Sequence, residues 1–280
     1  MRLPTLTIVG VGLIGGSIGL ATKKRGVVDR VVGVGRDAAK LELARQLGAI
    51  DVFAVDLGEG VRDAGLVVFC TPVDCIVEQM IEAAPNARQG AMFTDAGSTK
   101  RQVVEVAQAR LPPAVRFVGG HPLAGSEKKG VENAHADLFV DRCTVLTPTC
   151  GTSDTALDTV ANFWLALGAR VKTMSPEEHD QALAMTSHLP HLVAAALAGI
   201  LPADLHELAA TGFRDATRIA AGDPAVWTPI FQHNHAAVLA ALDQLEVRLR
   251  RFRAALESND VIAIDSLLTQ GKRMRDALGS

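Results

Sequence analysis

The sequence predicts an α/β fold in which a parallel sheet built to hold a nucleotide is followed by an all-helical domain. Three observations carry that prediction. Short β-rich runs alternate with helical stretches from residue 5 to about residue 173. A glycine run of the form G-x-G-x-x-G, Gly10 to Gly15, stands between the first such run and the first helix. Beyond Met174 the strand pattern stops and helix signals take over. The expected domains are therefore residues 1–173, binding a dinucleotide, and residues 174–280, all helical.

The expected strands are Leu6–Val9, Val31–Val34, Leu66–Cys70, Ala91–Asp95, Arg116–Val118, Thr144–Thr147 and Arg170–Thr173. Several are continuous apolar runs, the mark of strands covered on both faces. A helix over Ser17–Lys24 follows the glycines. Ser175-Pro176-Glu177-Glu178 reads as a helix start, with a serine cap, a proline in the first turn and a glutamate three residues after the cap. That helix runs toward Leu201 with Pro190 as a kink. Asp223-Pro224 repeats the start for one long helix reaching about Glu257, and a last helix spans Asp260–Leu278. Leu242, Leu245, Leu249, Phe252 and Leu256 form a stripe that must be buried against another helix, in this chain or in a partner.

The chain of 280 residues is 48% hydrophobic and 21% charged, which argues against a disordered or collagen-like protein. Its 28 basic and 31 acidic residues give a net charge of −3, without the electrostatic footprint of a nucleic-acid binder. The cysteines Cys70, Cys75, Cys143 and Cys150 form no C-x-x-C pair, so a disulfide framework or zinc site is not expected and a reducing compartment fits. The apolar run Leu192–Leu201 is too short to span a bilayer, and Met1-Arg2-Leu3-Pro4 lacks the plan of a signal peptide. The expectation is a cytoplasmic protein with no membrane or nucleic-acid partner.

In Gly10-Val11-Gly12-Leu13-Ile14-Gly15 the first glycine permits the turn, and the second admits a pyrophosphate to the backbone. The third lets helix and strand pack closely, while the helix N-terminus offers free N–H groups. Leu13 and Ile14 lie between the glycines, and Thr71-Pro72 follows the strand Leu66–Cys70; all of these are expected to line the cofactor. About twenty positions beyond the motif an acid normally binds the ribose 2′-hydroxyl of NAD. Here Gly35 stands at that place, followed by Arg36 and Asp37. A guanidinium there could clamp a 2′-phosphate, which points to NADP over NAD. The alternative is a solvated Arg36 with Asp37 on the ribose.

Asp95-Ala96-Gly97-Ser98-Thr99-Lys100 follows a buried strand, at the sheet edge where such folds place ligands. Ser98 there either meets a ligand or caps the next helix. His121 lies in a glycine-rich loop, Gly119 to Gly130, expected at the carboxyl edge of the sheet, whose glycines would let a substrate or nicotinamide approach the backbone; its unperturbed pKa near ~6.5 suits a proton acceptor. In Ser187-His188-Leu189-Pro190-His191 two histidines share a helix face, but no carboxylates complete a metal site, so no metal is expected. Arg214 and Arg218 stand four apart, either facing an anion or simply solvated beside Asp215.

Together, Gly10–Ser17, Gly120–Gly130, Ser187–His191 and Phe213–Trp227 make the chain resemble the prephenate/arogenate dehydrogenases of tyrosine biosynthesis over nearly its whole length. The resemblance implies a Rossmann-type domain, a helical dimerisation domain and a homodimer. It implies oxidative decarboxylation of prephenate or arogenate with hydride transfer to NADP or NAD. His121 would be the base at the 4-hydroxyl, and Ser98 would orient it and touch that hydroxyl. Arg218 would hold a substrate carboxylate, with His191 in the same pocket and Trp227 either beside the substrate or a buried anchor. Glu127 and Asp180 would stand near the pocket entrance. The chain stops soon after the helical domain, so neither an appended regulatory domain nor a fused chorismate mutase is expected. The competing expectations are another two-domain dehydrogenase of the β-hydroxyacid or imino-acid type, or a dinucleotide-binding protein without activity.

Overall fold

The computed structural model describes residues 3–125 and 128–279. Its strands are β1 (Leu3–Val9), β2 (Val28–Val34), β3 (Val52–Ala54), β4 (Leu66–Phe69), β5 (Met92–Asp95), β6 (Arg116–Pro122), β7 (Cys143–Thr147) and β8 (Arg170–Thr173). They form one sheet in the order β3-β2-β1-β4-β5-β6-β7-β8. Every pair is parallel except β6 with β7. Strand order reverses between β1 and β4, and a crevice opens at the carboxyl ends of strands on either side of such a switch.

Alternation along the strands feeds a core on each face of the sheet. Leu66 and Val68 of β4 join Leu6, Ile8, Ile18 and Trp164, whereas Val67 and Phe69 join Val9, Met80 and Phe93. The seven runs read from sequence all lie in this sheet, and β3 is the addition. Its three residues, Val52-Phe53-Ala54, are apolar but make a very short run that is only half-buried, which is why it did not stand out.

The helices are α1 (Leu13–Lys24), α2 (Ala38–Gln46), α3 (Leu57–Val61), α4 (Val73–Ala83), α5 (Arg101–Arg110), α6 (Asp154–Ala166), α7 (Pro176–Leu183), α8 (Leu189–Gly199), α9 (Thr211–Thr217), α10 (Pro224–His233), α11 (His235–Glu257) and α12 (Val261–Ala277). The Ser175 capping box forms as expected, with Glu178 answering back to the Ser175 N–H at 2.8 Å. Pro190 does not kink a single helix. It sits in the first turn of α8, after a π-helical turn over Ala184–His188. A proline supplies no N–H and crowds the carbonyl four residues back, so the register slips over the turn before it. The stretch Pro176–Gly199 has the length and apolarity to cross a bilayer, yet it carries His179, Asp180 and His188 buried inside the protein.

The expected long helix from Asp223 to Glu257 is two helices, divided at Asn234. The Asn234 side chain is buried; it donates to the Asp180 carbonyl at 2.8 Å and contacts His188 Nδ1 at 3.1 Å. The chain forms two compact units, Met1–Asn234 and His235–Ser280, so α7 to α10 belong with the sheet. In the second unit, Arg248 of α11 donates to the Leu267 carbonyl and to Gln270 of α12 at 2.9 and 2.6 Å.

Candidate active site

The glycine loop departs β1 at the switch point. Gly10 has φ +91°, and a Cβ there would lie 2.8 Å from the Thr71 side chain. At Gly15 a Cβ would lie 2.2 Å from the Gly10 carbonyl, whereas at Gly12 it would meet nothing. The open space over Gly12 is a cavity of about 420 Å³ whose walls include Leu13, Ile14, Thr71, Pro72 and Ser98. No side chain caps the N-terminus of α1 and no acid stands in its first turn, so its N–H groups remain available to an anion. These features fit a dinucleotide pyrophosphate. At the end of β2, Arg36 is exposed, and the Asp37 carboxylate accepts the N–H groups of Ala39 and Lys40, capping α2.

A second cavity, of about 620 Å³, is lined by Ser98, His121, Thr186, Ser187, His188, His191, Arg218 and Trp227 among others. Ser98 and Trp227 line both cavities and mark where the two meet. Ser98 is not the cap of α5. The N–H groups of Lys100 and Arg101 donate instead to the Asp180 carboxylate, at 2.8 and 3.0 Å. That leaves the Ser98 hydroxyl free of capping duty.

His121 is not on a loop but near the end of β6, opposite Val145 of β7. The two glycines before it serve the protein, not a ligand. A Cβ at Gly119 would lie 2.4 Å from Thr147 Oγ1, and one at Gly120 would lie 2.8 Å from the Asp95 carbonyl. Gly119 thus makes room for Thr147 of β7, and Gly120 lets β6 close onto the end of β5. The same closure is tied by Asp95, which accepts the N–H of Gly120 at 3.0 Å and of Gly97 at 2.9 Å and pairs with the Lys100 ammonium. Both charged side chains of that pair are fully buried.

His121 Nδ1 lies 2.8 Å from His179 Nε2, and His179 Nδ1 lies 2.7 Å from Asp180 Oδ1. Burial pushes the His121 pKa well below that of a free histidine, and the neighbouring His179, Lys100 and His188 act in the same direction. Burial also lowers His179, although Asp180 opposes it. His188 is pushed down to about 4 by burial. The imidazoles around the cavity are therefore neutral at pH 7.

Arg218 and His191 line this cavity, and His191 stacks flat on Trp227 with ring centroids 3.6 Å apart. Trp227 is thus both an anchor for His191 and part of the wall. Arg214 does not join Arg218; it is exposed and donates to the Ala209 carbonyl. Asp180 is not at an entrance but buried at 3% exposure, because it must reach the N-terminus of α5 and His179 together. Glu127 lies outside the described residues. Lys100, Asp95 and His179 were not singled out from sequence. Asp95 and Lys100 bound the segment that carries Ser98, but nothing local marks them as a pair, and nothing local marks His179.

Models of the prephenate dehydrogenase nucleotide-binding domain and dimerization domain match residues 18–173 and 175–270. The chain belongs to the prephenate dehydrogenase family. It is 37% identical to prephenate dehydrogenase of Bacillus subtilis, over 98% of this chain and 76% of that one. It is 36% identical to cyclohexadienyl dehydrogenase of Zymomonas mobilis, over 91% of this chain and 89% of that one. The crystal structure of prephenate dehydrogenase from A. aeolicus, in complex with hydroxyphenyl propionate and NAD+, superposes with a TM-score of 0.93 at 30% identity, covering 99% of each chain. Membership in the prephenate dehydrogenase family sets aside both competing expectations, the other two-domain dehydrogenases and the inactive dinucleotide binder.

Proposed function

We propose that this enzyme oxidatively decarboxylates prephenate with NADP+, as a homodimer in the cytoplasm. The observation that carries the reading is the placement of Ser98, His121 and Arg218 on one cavity that meets the dinucleotide cleft at Ser98. A nicotinamide dinucleotide held along the glycine loop supplies the hydride acceptor. His121, neutral and half-buried, takes the proton of the 4-hydroxyl as that carbon is oxidised to a ketone. The ketone then draws the electron pair of the departing carboxylate into the ring. Ser98 orients the hydroxyl, and the Arg218 guanidinium holds a carboxylate.

The 37% identical relative of Bacillus subtilis is a prephenate dehydrogenase, which supports prephenate over arogenate as the substrate. Exposed Arg36, beside an Asp37 carboxylate engaged in capping α2, supports a 2′-phosphate on the cofactor. For the dimer, Leu249 and Leu256 of the α11 stripe stand 54% and 64% exposed in one chain, a face that asks for a partner. The decisive experiment is a kinetic matrix of prephenate and arogenate against NADP+ and NAD+. Prephenate with NADP+ is expected to give the highest kcat/KM. A higher value for arogenate refutes the substrate assignment, and a clear NAD+ preference refutes the role of Arg36.

A further inference from the structure

This inference rests on the proposed reaction and asks what happens to the proton that His121 takes. Prephenate brings two negative charges and the oxidised cofactor brings one positive nicotinamide. The products are a phenol with one carboxylate, neutral carbon dioxide and an uncharged dihydronicotinamide. Charge balances without any proton entering or leaving. The O–H bond that breaks when N–H forms on His121 is therefore remade on the same oxygen, once decarboxylation has left a phenolate there. Such a base needs no exit path. It needs one nitrogen fixed as acceptor and a partner that steadies the proton until it returns.

We propose that His179 and Asp180 are the positioning residues that fix His121 in the Nδ1–H tautomer, leaving Nε2 bare toward the substrate. The assignment follows from the order of donors and acceptors. Asp180 already accepts the N–H groups of Lys100 at 2.8 Å and Arg101 at 3.0 Å, which holds it ionised at the N-terminus of α5. Both carboxylate oxygens are thus acceptors, so the 2.7 Å contact to Asp180 Oδ1 places a proton on His179 Nδ1. His179 is fully buried, and the Lys100 ammonium opposes a second positive charge nearby, so its ring is neutral and Nε2 is an acceptor. At 2.8 Å from that nitrogen, His121 Nδ1 must be the donor. The remaining nitrogen, Nε2, carries the lone pair.

Every charged or titratable neighbour is consistent with this order. His121 is faced by His179 from α7, Lys100 from the β5–α5 loop and His188 from the π-helical turn. His179 is faced by Asp180 beside it and by Asp95 and Lys100 across the cleft. When His121 becomes an imidazolium, its Nδ1–H bond to His179 strengthens, with Asp180 behind. Asp180 acts as an anchor and not as a proton sink, because protonation would remove the charge that strengthens its bonds from the Lys100 and Arg101 N–H groups.

Two measurements test the proposal. Nitrogen-15 NMR of the histidine rings in the wild-type holoenzyme at pH 7 is expected to show His121 protonated at Nδ1 and bare at Nε2. A predominant Nε2–H form overturns it. In kinetics, His179→Phe keeps the ring but offers no acceptor, and kcat is expected to fall by roughly 10²–10⁴, the range for a misplaced tautomer or lost general base. KM for prephenate should stay within about twofold, since the interaction adds no ground-state contact to substrate. His179→Gln places an amide oxygen near the lost Nε2 and is expected to recover at least about tenfold of that loss. Wild-type kcat in His179→Phe, or no recovery in His179→Gln, refutes the positioning role. If the wild-type enzyme turns over neither prephenate nor arogenate with either dinucleotide, the functional reading fails, while the NMR assignment still decides the tautomer.

Discussion

Replacing His121 with asparagine lowers kcat by roughly 10²–10⁴ and leaves KM for prephenate nearly unchanged, because a general base stabilises the transition state and not the bound substrate. The pH profile carries the same signature. The base works only when neutral, and burial with the nearby Lys100 charge holds the His121 pKa well below 6.5. In the wild-type enzyme kcat/KM therefore stays flat as pH falls through 6.5, and its acid limb appears only lower. An asparagine variant with near-full kcat, or an acid limb centred at or above 6.5, contradicts the assignment.

The second large effect concerns folding. Lys100 and Asp95 form an ion pair with no solvent exposure on either side chain. Lys100→Met leaves a buried carboxylate whose compensation is reduced to the N–H groups of Gly97 and Gly120. The expected cost is about 3–5 kcal/mol, the range for breaking a buried pair at one end. At roughly 2–4 °C per kcal/mol that lowers the melting temperature by about 10 °C. Adding Asp95→Asn to Lys100→Met should recover a large part of the loss, because the stranded charge is then gone. Calorimetry of the two variants measures it, and an unchanged melting temperature for Lys100→Met refutes the account of this pair.

What the sequence makes legible is whatever a contiguous run of residues decides. The glycine loop, the strand that feeds it and the Ser175 capping box depend on neighbours within a few positions, and each forms where expected. Ser98, His121, His191 and Arg218 could be named because they sit in distinctive segments, and the fold brings them to one cavity. What escaped is whatever depends on a partner far along the chain. Asn234 ends α10 because its amide finds Asp180, 54 residues away, and no local pattern records that. Asp180 was expected at the pocket entrance, and its buried place could not be read locally because its partners, the N–H groups of Lys100 and Arg101, lie about eighty residues earlier. The glycines before His121 looked like room for a ligand until Thr147 and Asp95 filled that space.

The most direct check is a crystal structure of this enzyme with NADP+ and 4-hydroxyphenylpropionate, the type of ligand seen in the A. aeolicus relative. The phenol oxygen is expected within hydrogen-bonding distance of His121 Nε2 and Ser98 Oγ, with the carboxylate on Arg218. A phenol turned away from His121, or a carboxylate held elsewhere with Arg218 in solvent, would contradict the account at its centre.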